Sequence, residues 1–498
     1  MERRSSKFKV CEVHPLDPNG VKKWAGRRRS VPDTMNKLRH GKLLHDHHAV
    51  VQALDVLKQC VLDCTVNKHT SISKESVEHL VAGFSVLISE DKDLCILNEE
   101  ENTLLHKNFA SYSSVFDSNV QAFITQNFSQ GGLKRQASRS LLRRHSKPCT
   151  DIDAIVQWGC PSHVIDDVQL QLSLMTDWTF NMFELRKLVS SQNILLVMGS
   201  SIFAAHDLLK RCNIDANVLK NFLMGVAENY LSNPYHNAEH AADVGQAMHY
   251  LLSTGGLAKL LSPLSILASI VAAIVHDAGH PARTNNFLIS VDDPLALQYS
   301  FRSPLENLHC ATAFHVMKKP GSNILSELHT VARNKVRHLI VDMIMATDNA
   351  VHSLYLTKFQ NTAANAKDDA FDSSQDDNQK ILLQMALHAA DVNNPAKPFP
   401  VYEIWIDRIM EEFYVQGDDE RKRGMEVSVG YDRLQPIPQE KMQAGFIIGI
   451  VKPVYTALAS VESLCLTACL DTLEENLQIW QAIIQQSAVD KKKNNKEI

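Results

Sequence analysis

Residues 265–281 read SILASIVAAIVHDAGHP, and this stretch indicates which kind of fold to expect. The predominantly apolar run 264–275 is too short to span a bilayer, which predicts a buried core helix. The glycine and the proline within 276–281 end such a helix, because neither residue continues a regular helical turn. Three polar residues should therefore emerge together at the end of a core helix: His276, Asp277 and His280.

A second segment, NPYHNAEHAADVGQAMHYLL at 233–252, carries polar residues at its start. We expect Asn233 to cap this helix, with Pro234 at the first helical position. His236 then falls in the first turn, and His240 lies one turn later on the same helical face.

A third segment, QKILLQMALHAADVNNP at 379–395, has apolar residues at helical spacing. The Asn394-Pro395 pair should end this helix, because a proline disfavours helical backbone at the residue before it. Asp391 lies just before that stop, so a carboxylate is expected at the end of a second core helix.

A lone histidine or aspartate on a helix is more often structural than functional. The adjacent pair His276-Asp277 favours a site, because a buried aspartate without a partner is costly. Imidazole and carboxylate groups together suit Zn²⁺ or a similar divalent metal. Asp277 could also be shared with a second ion, Mg²⁺ or Mn²⁺, which prefers oxygen ligands. The candidate metal ligands are His240, His276, Asp277 and Asp391.

The composition restricts the class of protein. The chain has 498 residues, 45% hydrophobic and 21% charged, with a formal net charge of −5, which fits a globular protein and not a globally basic nucleic-acid binder. Ten cysteines without a C-x-x-C pair predict reduced thiols, with neither a disulfide scaffold nor a cysteine metal site. No secretory signal and no transmembrane segment are recognisable, so we expect a cytoplasmic protein.

The order of segments predicts an all-α protein, because helical periodicity recurs from about residue 151 onward without alternating strands. The basic composition at the N-terminus predicts disorder there, and a short polar tail ends the chain. The expected organisation is a basic tail at 1–43, a helical region of unknown role at 44–128, a basic linker at 129–160, a helical domain at 161–488 and a polar tail at 489–498.

The motifs occur in an order that resembles the class I cyclic-nucleotide phosphodiesterases. That order is H-N-x-x-H, then H-D-x-x-H-x-x-x-x-N, then L-E-N, then H-x-A-D-x-x-N-P. The stretches WTFNMFEL at 178–185, WIDRIMEEFYVQGDDERKRGMEVS at 405–428 and QAGF at 443–446 also resemble the family. The resemblance covers about 165–485, and it marks the helical domain at 161–488 as a catalytic domain.

The resemblance implies a compact multi-helix catalytic domain with an HD-type metal site. It implies hydrolysis of a 3′,5′-cyclic nucleotide to the 5′-monophosphate, by a metal-bridging hydroxide that attacks phosphorus. The four candidate ligands match the family's zinc ligands, with Asp277 shared by a magnesium. His236 matches the general acid that protonates the leaving 3′-oxygen.

Further positions match residues around the metals and the base. His280, Glu306 and Thr347 match residues that hold metal-bound waters and ligands in place. Gln443 matches the glutamine that hydrogen-bonds the base, and Phe446 and Ile409 match the clamp on the purine. Asn394 matches the position where cyclic AMP (cAMP)-selective members carry Asn, which favours cAMP over dual specificity.

The expected position of His236 at a helix N-terminus disfavours its protonated form. A nearby carboxylate should therefore help to hold the proton, and Glu306 is the candidate. The alternative for Glu306 is structural, since Ser303-Pro304-Leu305-Glu306 has the pattern of a capping box.

The basic segments contain three R-R-x-S sequences, the pattern favoured by cAMP-dependent protein kinase. Their serines are Ser6, Ser30 and Ser146. Phosphorylation there would offset positive charge and could dock or release the linker. The alternatives are a solvated basic segment or contact with anionic lipid. The region 44–128 could be a dimerisation or autoinhibitory unit, so a homodimer is a further expectation.

Two other functions stay open at this point. One is another hydrolase with the same histidine and aspartate set, such as a nucleotidase or a deoxynucleotide triphosphohydrolase. The other is a catalytically inactive scaffold that only binds a nucleotide or a partner.

Overall fold

The computed structural model describes residues 159–364 and 371–494, with side chains up to 490. The described residues form helices and no strand, which confirms the all-α prediction. The predicted tail at 1–43, the region at 44–128 and nearly all of the linker at 129–160 lie outside the described residues. Ser6, Ser30 and Ser146 lie outside them as well.

The α-helices are numbered here in chain order. They are α1 (Ile165–Ser173), α2 (Met182–Leu188), α3 (Ser191–Ala205), α4 (Leu208–Arg211), α5 (Ala216–Ala227), α6 (Ala238–Leu252), α7 (Pro263–Val275), α8 (Asn285–Ser290), α9 (Pro294–Gln298), α10 (Pro304–Lys318), α11 (Thr330–Met345), α12 (His352–Ala364), α13 (Asp376–Asp391), α14 (Phe399–Lys422), α15 (Gln439–Phe446), α16 (Lys452–Ala459) and α17 (Thr467–Asn494). Short 3₁₀ helices lie at Ser162–Val164, Leu257–Leu260, Asn349–Val351 and Asn394–Ala396, and a π-helical turn lies at Ile447–Val451.

Helix α7 lies at the centre of the fold. Every residue from Ser265 to Val275 is buried, as the apolar run predicts. The helix packs against α6, α11 and α13, and α6 in turn packs against α3 and α13. Burial of an apolar helix on several sides is the main source of stability for such a segment. The start of α6 and the ends of α7 and α13 are thereby held in one place.

The start of α6 differs from the prediction. The helix begins at Ala238, where the side chain of Asn237 accepts hydrogen bonds from the amides of Glu239 and His240. Asn233 was wrongly expected to be this cap. Its side-chain amide instead donates to the backbone oxygens of His236, at 2.8 Å, and His280, at 2.7 Å. His236 therefore lies in the loop before the helix and not in its first turn.

We expected no segment long and apolar enough to span a membrane, but the C-terminal helices contain one. By length and composition, Gln439–Ala459 is apolar enough to cross a membrane, but 61% of its most apolar window is buried within the fold. A core helix passes the same test, so this is weak evidence for a span. The π-helical turn interrupts the stretch just before Pro453, which cannot donate a backbone hydrogen bond.

The last helix, α17, continues to Asn494, beyond the boundary expected at residue 488. The cysteines within the described residues are free thiols: Cys160, Cys212, Cys310, Cys465 and Cys469.

Candidate active site

The four candidate metal ligands come from three helix ends. His240 lies in the first turn of α6, His276 and Asp277 follow the last residue of α7, and Asp391 is the last residue of α13. One ligand-type atom of each lies within 4.8 Å of the others. The structure thus brings together residues that are up to 151 positions apart in the chain.

The spacing of these atoms fits one small divalent ion. His276 Nε2 lies 3.1 Å from Asp277 Oδ2 and 3.2 Å from Asp391 Oδ1. His240 Nε2 lies 3.5 Å and 3.3 Å from the same two oxygens. A tetrahedral zinc ion with bonds near 2.0–2.1 Å would hold its ligand atoms about 3.3 Å apart.

The protonation of the ring nitrogens also suits a cation. His276 Nδ1 lies 2.9 Å from the Ala273 backbone oxygen and donates to it, which leaves the Nε2 lone pair for the cluster. Burial would lower the pKa of His276, but the Asp277 and Asp391 carboxylates raise it well above its usual value. The carboxylates of Asp277 and the half-buried Asp391 therefore favour positive charge at the point where the four side chains meet.

Next to this cluster, His236 pairs with a carboxylate. The ring Nδ1 lies 2.6 Å from Glu412 Oε2, and the amides of Tyr235 and His236 donate to Glu412 Oε1 at 2.7 and 2.8 Å. Burial would lower the pKa of His236, but the Glu412 carboxylate and its hydrogen bond raise it to about 9. Glu412 is therefore the carboxylate that keeps His236 protonated. We expected Glu306 to do this, and that expectation was wrong.

Glu306 has a different role, and the capping-box alternative fails as well. Its carboxylate accepts from Asn285 Nδ2 at 2.9 and 3.2 Å. Burial and the nearby Asp348 carboxylate raise the pKa of Glu306 well above its usual value. Ser303 has a φ of 41°, outside the extended conformation usual for a cap, and it makes no capping bond; its hydroxyl donates to Asp348 Oδ2 at 2.6 Å. Pro304 does begin helix α10, as predicted.

His280 lies between two other imidazoles. Its ring stacks on that of His236, with centroids 3.9 Å apart and planes 16° apart, and the ring of His309 stacks on its other side. Gly279, with a φ of +87°, makes the turn that carries the chain from Asp277 to His280. Burial and the neighbouring His236 keep the pKa of His280 well below its usual value.

His236, His280 and Glu412 also lie within 4.8 Å of one another by their ligand-type atoms. A bound metal must lie close to the plane of each imidazole that ligates it. Two rings stacked face to face cannot both direct a lone pair at one ion. The geometry of this second group therefore suits a proton, whereas the geometry of the first group could hold a metal.

The candidate base-binding residues are held by tyrosines. The hydroxyl of Tyr402 donates to Gln443 Oε1 at 2.7 Å, and the hydroxyl of Tyr235 donates to Asn394 Oδ1 at 2.6 Å. Asn394 Nδ2 is buried and has no hydrogen-bond partner. In both amides the carbonyl oxygen is engaged, so the NH₂ group is the part of the side chain that remains to donate.

Of the three remaining predicted residues, two pack against apolar clusters and one makes a local hydrogen bond. Ile409 is partly buried against the cluster of Tyr235, Val401 and Trp405. Phe446 is partly buried against the main core. The hydroxyl of Thr347 donates to the Ile344 backbone oxygen at 2.8 Å, within the turn that ends α11.

Glu412, Tyr235 and Tyr402 lie at the site although no sequence pattern predicted them. Tyr235 has a weak signal, because it lies next to His236. Glu412 lies 176 residues from His236, inside a helix with many acidic residues, so spacing could not single it out.

This chain is similar to proteins of a known family. Residues 235–473 match the family model for 3′5′-cyclic nucleotide phosphodiesterase. Mouse 3′,5′-cyclic-AMP phosphodiesterase 4C is 35% identical over 347 residues, which cover 69% of this chain and 50% of the relative. The probable 3′,5′-cyclic-AMP phosphodiesterase pde-4 of Caenorhabditis elegans is 36% identical over 322 residues, covering 64% and 47%. This chain therefore spans about half the length of these two relatives.

A solved structure is also similar. The structure of LmjPDEB1 in complex with IBMX superimposes with a TM-score of 0.58 at 26% identity, and covers 64% of this chain and 98% of that one. The family match contains all four candidate metal ligands, His236 and Glu412. These comparisons confirm the resemblance that the motif order indicated.

Proposed function

Because this chain contains a class I cyclic-nucleotide phosphodiesterase catalytic domain, we propose that it hydrolyses 3′,5′-cyclic nucleotides, cAMP preferentially, to 5′-monophosphates. The observation that carries this proposal is the pairing of a four-residue metal-type cluster with a neighbouring His236–Glu412 proton donor. The names of the mouse and nematode relatives support cAMP as the substrate.

The proposed cofactors are two divalent ions, Zn²⁺ or a similar ion and Mg²⁺ or Mn²⁺. His240, His276, Asp277 and Asp391 would hold the first, and Asp277 would be shared with the second. The spacing of the four ligand atoms supports the first ion, as described above. When bound, the pair would supply an activated water and neutralise charge on the phosphoryl oxygens.

His236 would supply the proton that the leaving 3′-oxygen needs. Its Nδ1 is committed to Glu412, so the transferable proton resides on Nε2. The amides of Tyr235 and His236 fix the carboxylate, and the carboxylate in turn fixes the ring. A histidine held in its protonated form near neutral pH is a suitable general acid.

The base would be recognised by Gln443 and Asn394 and held between Ile409 and Phe446. The tyrosine hydroxyls leave the amide NH₂ groups of both residues as donors. Such donors can bond ring-nitrogen acceptors of adenine, but guanine offers N7 and O6 as acceptors too, so the two amides alone do not choose between the bases. The preference for cAMP is therefore proposed from the match of Asn394 to cAMP-selective members and from the names of the relatives, and dual specificity is the alternative.

The test is hydrolysis of cAMP and cGMP over a concentration series with and without Mg²⁺. We expect a higher kcat/KM for cAMP, and we expect Asp391→Ala to abolish turnover. Asp372→Ala is the matched control, because that carboxylate is exposed and bonds only within its own turn. Equal turnover of both nucleotides would keep the class and discard the preference for cAMP.

Turnover of neither nucleotide by folded, metal-loaded protein would overturn the proposed activity. A panel of nucleoside mono- and triphosphates would then test whether the chain is another phosphohydrolase. Failure to take up metal would favour a binding scaffold.

We further propose that cAMP-dependent protein kinase phosphorylates the basic N-terminal segments, which would place this enzyme under feedback from its own substrate. The proposal rests on the three R-R-x-S sequences alone. Incubation of the purified protein with the kinase should add phosphate at Ser30 or Ser146, and the Ser→Ala variants are the controls. No phosphate at either serine would overturn it.

A further inference from the structure

A lysine lies completely buried beside the turn that carries Asn394. Lys397 has 0% exposure and is among the largest fully buried side chains of the described residues. Its ammonium donates to Gln246 Oε1 at 2.6 Å and lies 4.3 Å from the centre of the Trp178 ring. Burial of a charged group is costly, so such a residue is retained only where its contacts compensate.

The lysine ties the turn to helix α6. Gln246 lies on α6, and its NH₂ group donates to the backbone oxygens of Met175 and Asp177. Asn393, at the start of the turn, donates to Asp243 Oδ2 at 3.0 Å, and Asp243 lies one turn after His240 on α6. Two side chains of the turn are therefore anchored to the helix that carries a candidate metal ligand.

The backbone of the same turn is held from two other directions. The indole of Trp178 donates to the Ala396 oxygen at 2.6 Å. The amide of Asn476, on α17, donates to the oxygens of Pro395 and Lys397 at 2.7 and 2.8 Å. The anchoring thus fixes the backbone of the 3₁₀ turn Asn394–Ala396.

This anchoring determines where the Asn394 amide lies. Asn is a short side chain with few torsions, so the position of its NH₂ group follows from the position of the turn. Tyr235 fixes the carbonyl oxygen, and Nδ2 is the buried donor that has no partner. A shift of the turn relative to α6 would move this donor relative to the metal-type cluster.

We propose that Lys397 is a positioning residue for base preference, acting through Asn394. The inference rests on the proposed function, because it names a determinant of substrate selection at the same site. Lys397 itself contacts no substrate. It holds the turn at a fixed distance from α6, so that the base and the phosphate are recognised together.

The experiment compares Lys397→Met with Gln384→Met. Gln384 is also buried, and its side-chain amide donates to the backbone oxygen of Asp342, but it lies on α13 away from the turn. Both variants should lower the Tm. Only Lys397→Met should raise the KM for cAMP, by about tenfold, and lower the preference for cAMP over cGMP while kcat changes little.

A double-mutant cycle tests whether Lys397 acts through Asn394. In an Asn394→Ala background, Lys397→Met should cause no further loss of preference. An additive loss would overturn the inference. If Lys397→Met does not fold, Trp178→Phe removes the bond to Ala396 and should give a smaller shift in the same direction; an unchanged preference in that variant would overturn it.

Amide hydrogen exchange needs no substrate, so it tests the positioning role of Lys397 separately from the proposed function. The amides of Ala396 and Lys397 donate to the oxygens of Asn393 and Asn394. Hydrogen exchange at these two amides should become faster in Lys397→Met and not in Gln384→Met. Unchanged exchange would overturn the positioning role, whereas a wild-type enzyme without cAMP turnover would overturn the proposed function and the role in base preference but not the anchoring of the turn by Lys397.

Discussion

Two groups of histidines and carboxylates lie side by side where α6 begins. In the metal-type cluster, the Nε2 atoms of His240 and His276 lie 3.3 Å apart and converge with two carboxylate oxygens. In the neighbouring group, the rings of His236 and His280 stack face to face, and Glu412 bonds one ring edge at 2.6 Å. Both groups consist of imidazoles and carboxylates, but the ring orientations differ.

The orientation decides what each group can hold. Converging lone pairs suit a cation with short bonds, as in a tetrahedral zinc site. A stacked pair with one hydrogen-bonded edge suits a proton, because the stack leaves no common point for two lone pairs. Residue type alone therefore does not distinguish a metal site from a proton donor, and four variants test that distinction.

The largest effect should come from Asp277→Asn. The Asp277 carboxylate lies 3.1 Å from His276 Nε2 and 3.6 Å from His309 Nε2, at the centre of the cluster. Loss of its charge should remove bound metal and lower kcat on the order of 10³-fold. Metal content by mass spectrometry and steady-state rates measure both effects.

The matched control for that variant is Asp292→Asn. Asp292 is exposed and has a φ of 50°, a conformation that Asn also tolerates. The metal content and the kcat of Asp292→Asn should equal those of the wild type. Full metal occupancy in Asp277→Asn would show that the convergent geometry does not hold the ion.

The second effect should come from His236→Ala. Loss of a general acid typically lowers kcat by about 10²–10⁴-fold. Because the stacked group is not a metal site, metal content should stay at the wild-type value. The exposed His315→Ala is the control, and loss of metal from His236→Ala would assign His236 to the metal cluster instead.

The third variant, Glu412→Gln, changes the pH dependence. The carboxylate raises the pKa of His236 to about 9, against the effect of burial. Without it, burial still lowers the pKa, so His236 loses its proton at lower pH. The alkaline fall in kcat/KM should therefore move to lower pH.

Glu411→Gln is the matched control for that shift. Glu411 is adjacent in sequence, but it is exposed and pairs with Arg433. Its profile should follow that of the wild type. An unshifted profile in Glu412→Gln would mean that another group holds the proton.

Much of this site could be predicted from the sequence because helix ends carry local signals. The apolar run before His276, the Asn394-Pro395 stop after Asp391 and the motif order all lie within short segments. The fold class followed from periodicity in the same way, and the buried helix α7 agrees with it.

The partners of these residues were less predictable, because they depend on contacts between distant segments. Asn233 and Asn237 are both good caps, but the Asn237 side chain accepts from the first amides of the helix, whereas the Asn233 amide donates to His236 and His280. Ser303 has the capping pattern, but Asp348, 45 residues later, accepts its hydroxyl. Local sequence patterns predict which side chains can form hydrogen bonds, but they do not predict which distant residue becomes the partner.

The smallest effect should come from Glu306→Gln. This variant tests whether Glu306, the partner expected from the sequence, affects His236 as Glu412, the observed partner, does. Burial and Asp348 raise the pKa of Glu306, so its neutral form is favoured and an amide of the same shape resembles it. Asn285 can still donate to the remaining carbonyl oxygen. We expect the alkaline fall in kcat/KM to stay at the wild-type pH, with a change in rate below about tenfold. A shift as large as that of Glu412→Gln would show that Glu306 also controls the proton of His236, and that the two carboxylates act on one group despite their separate contacts.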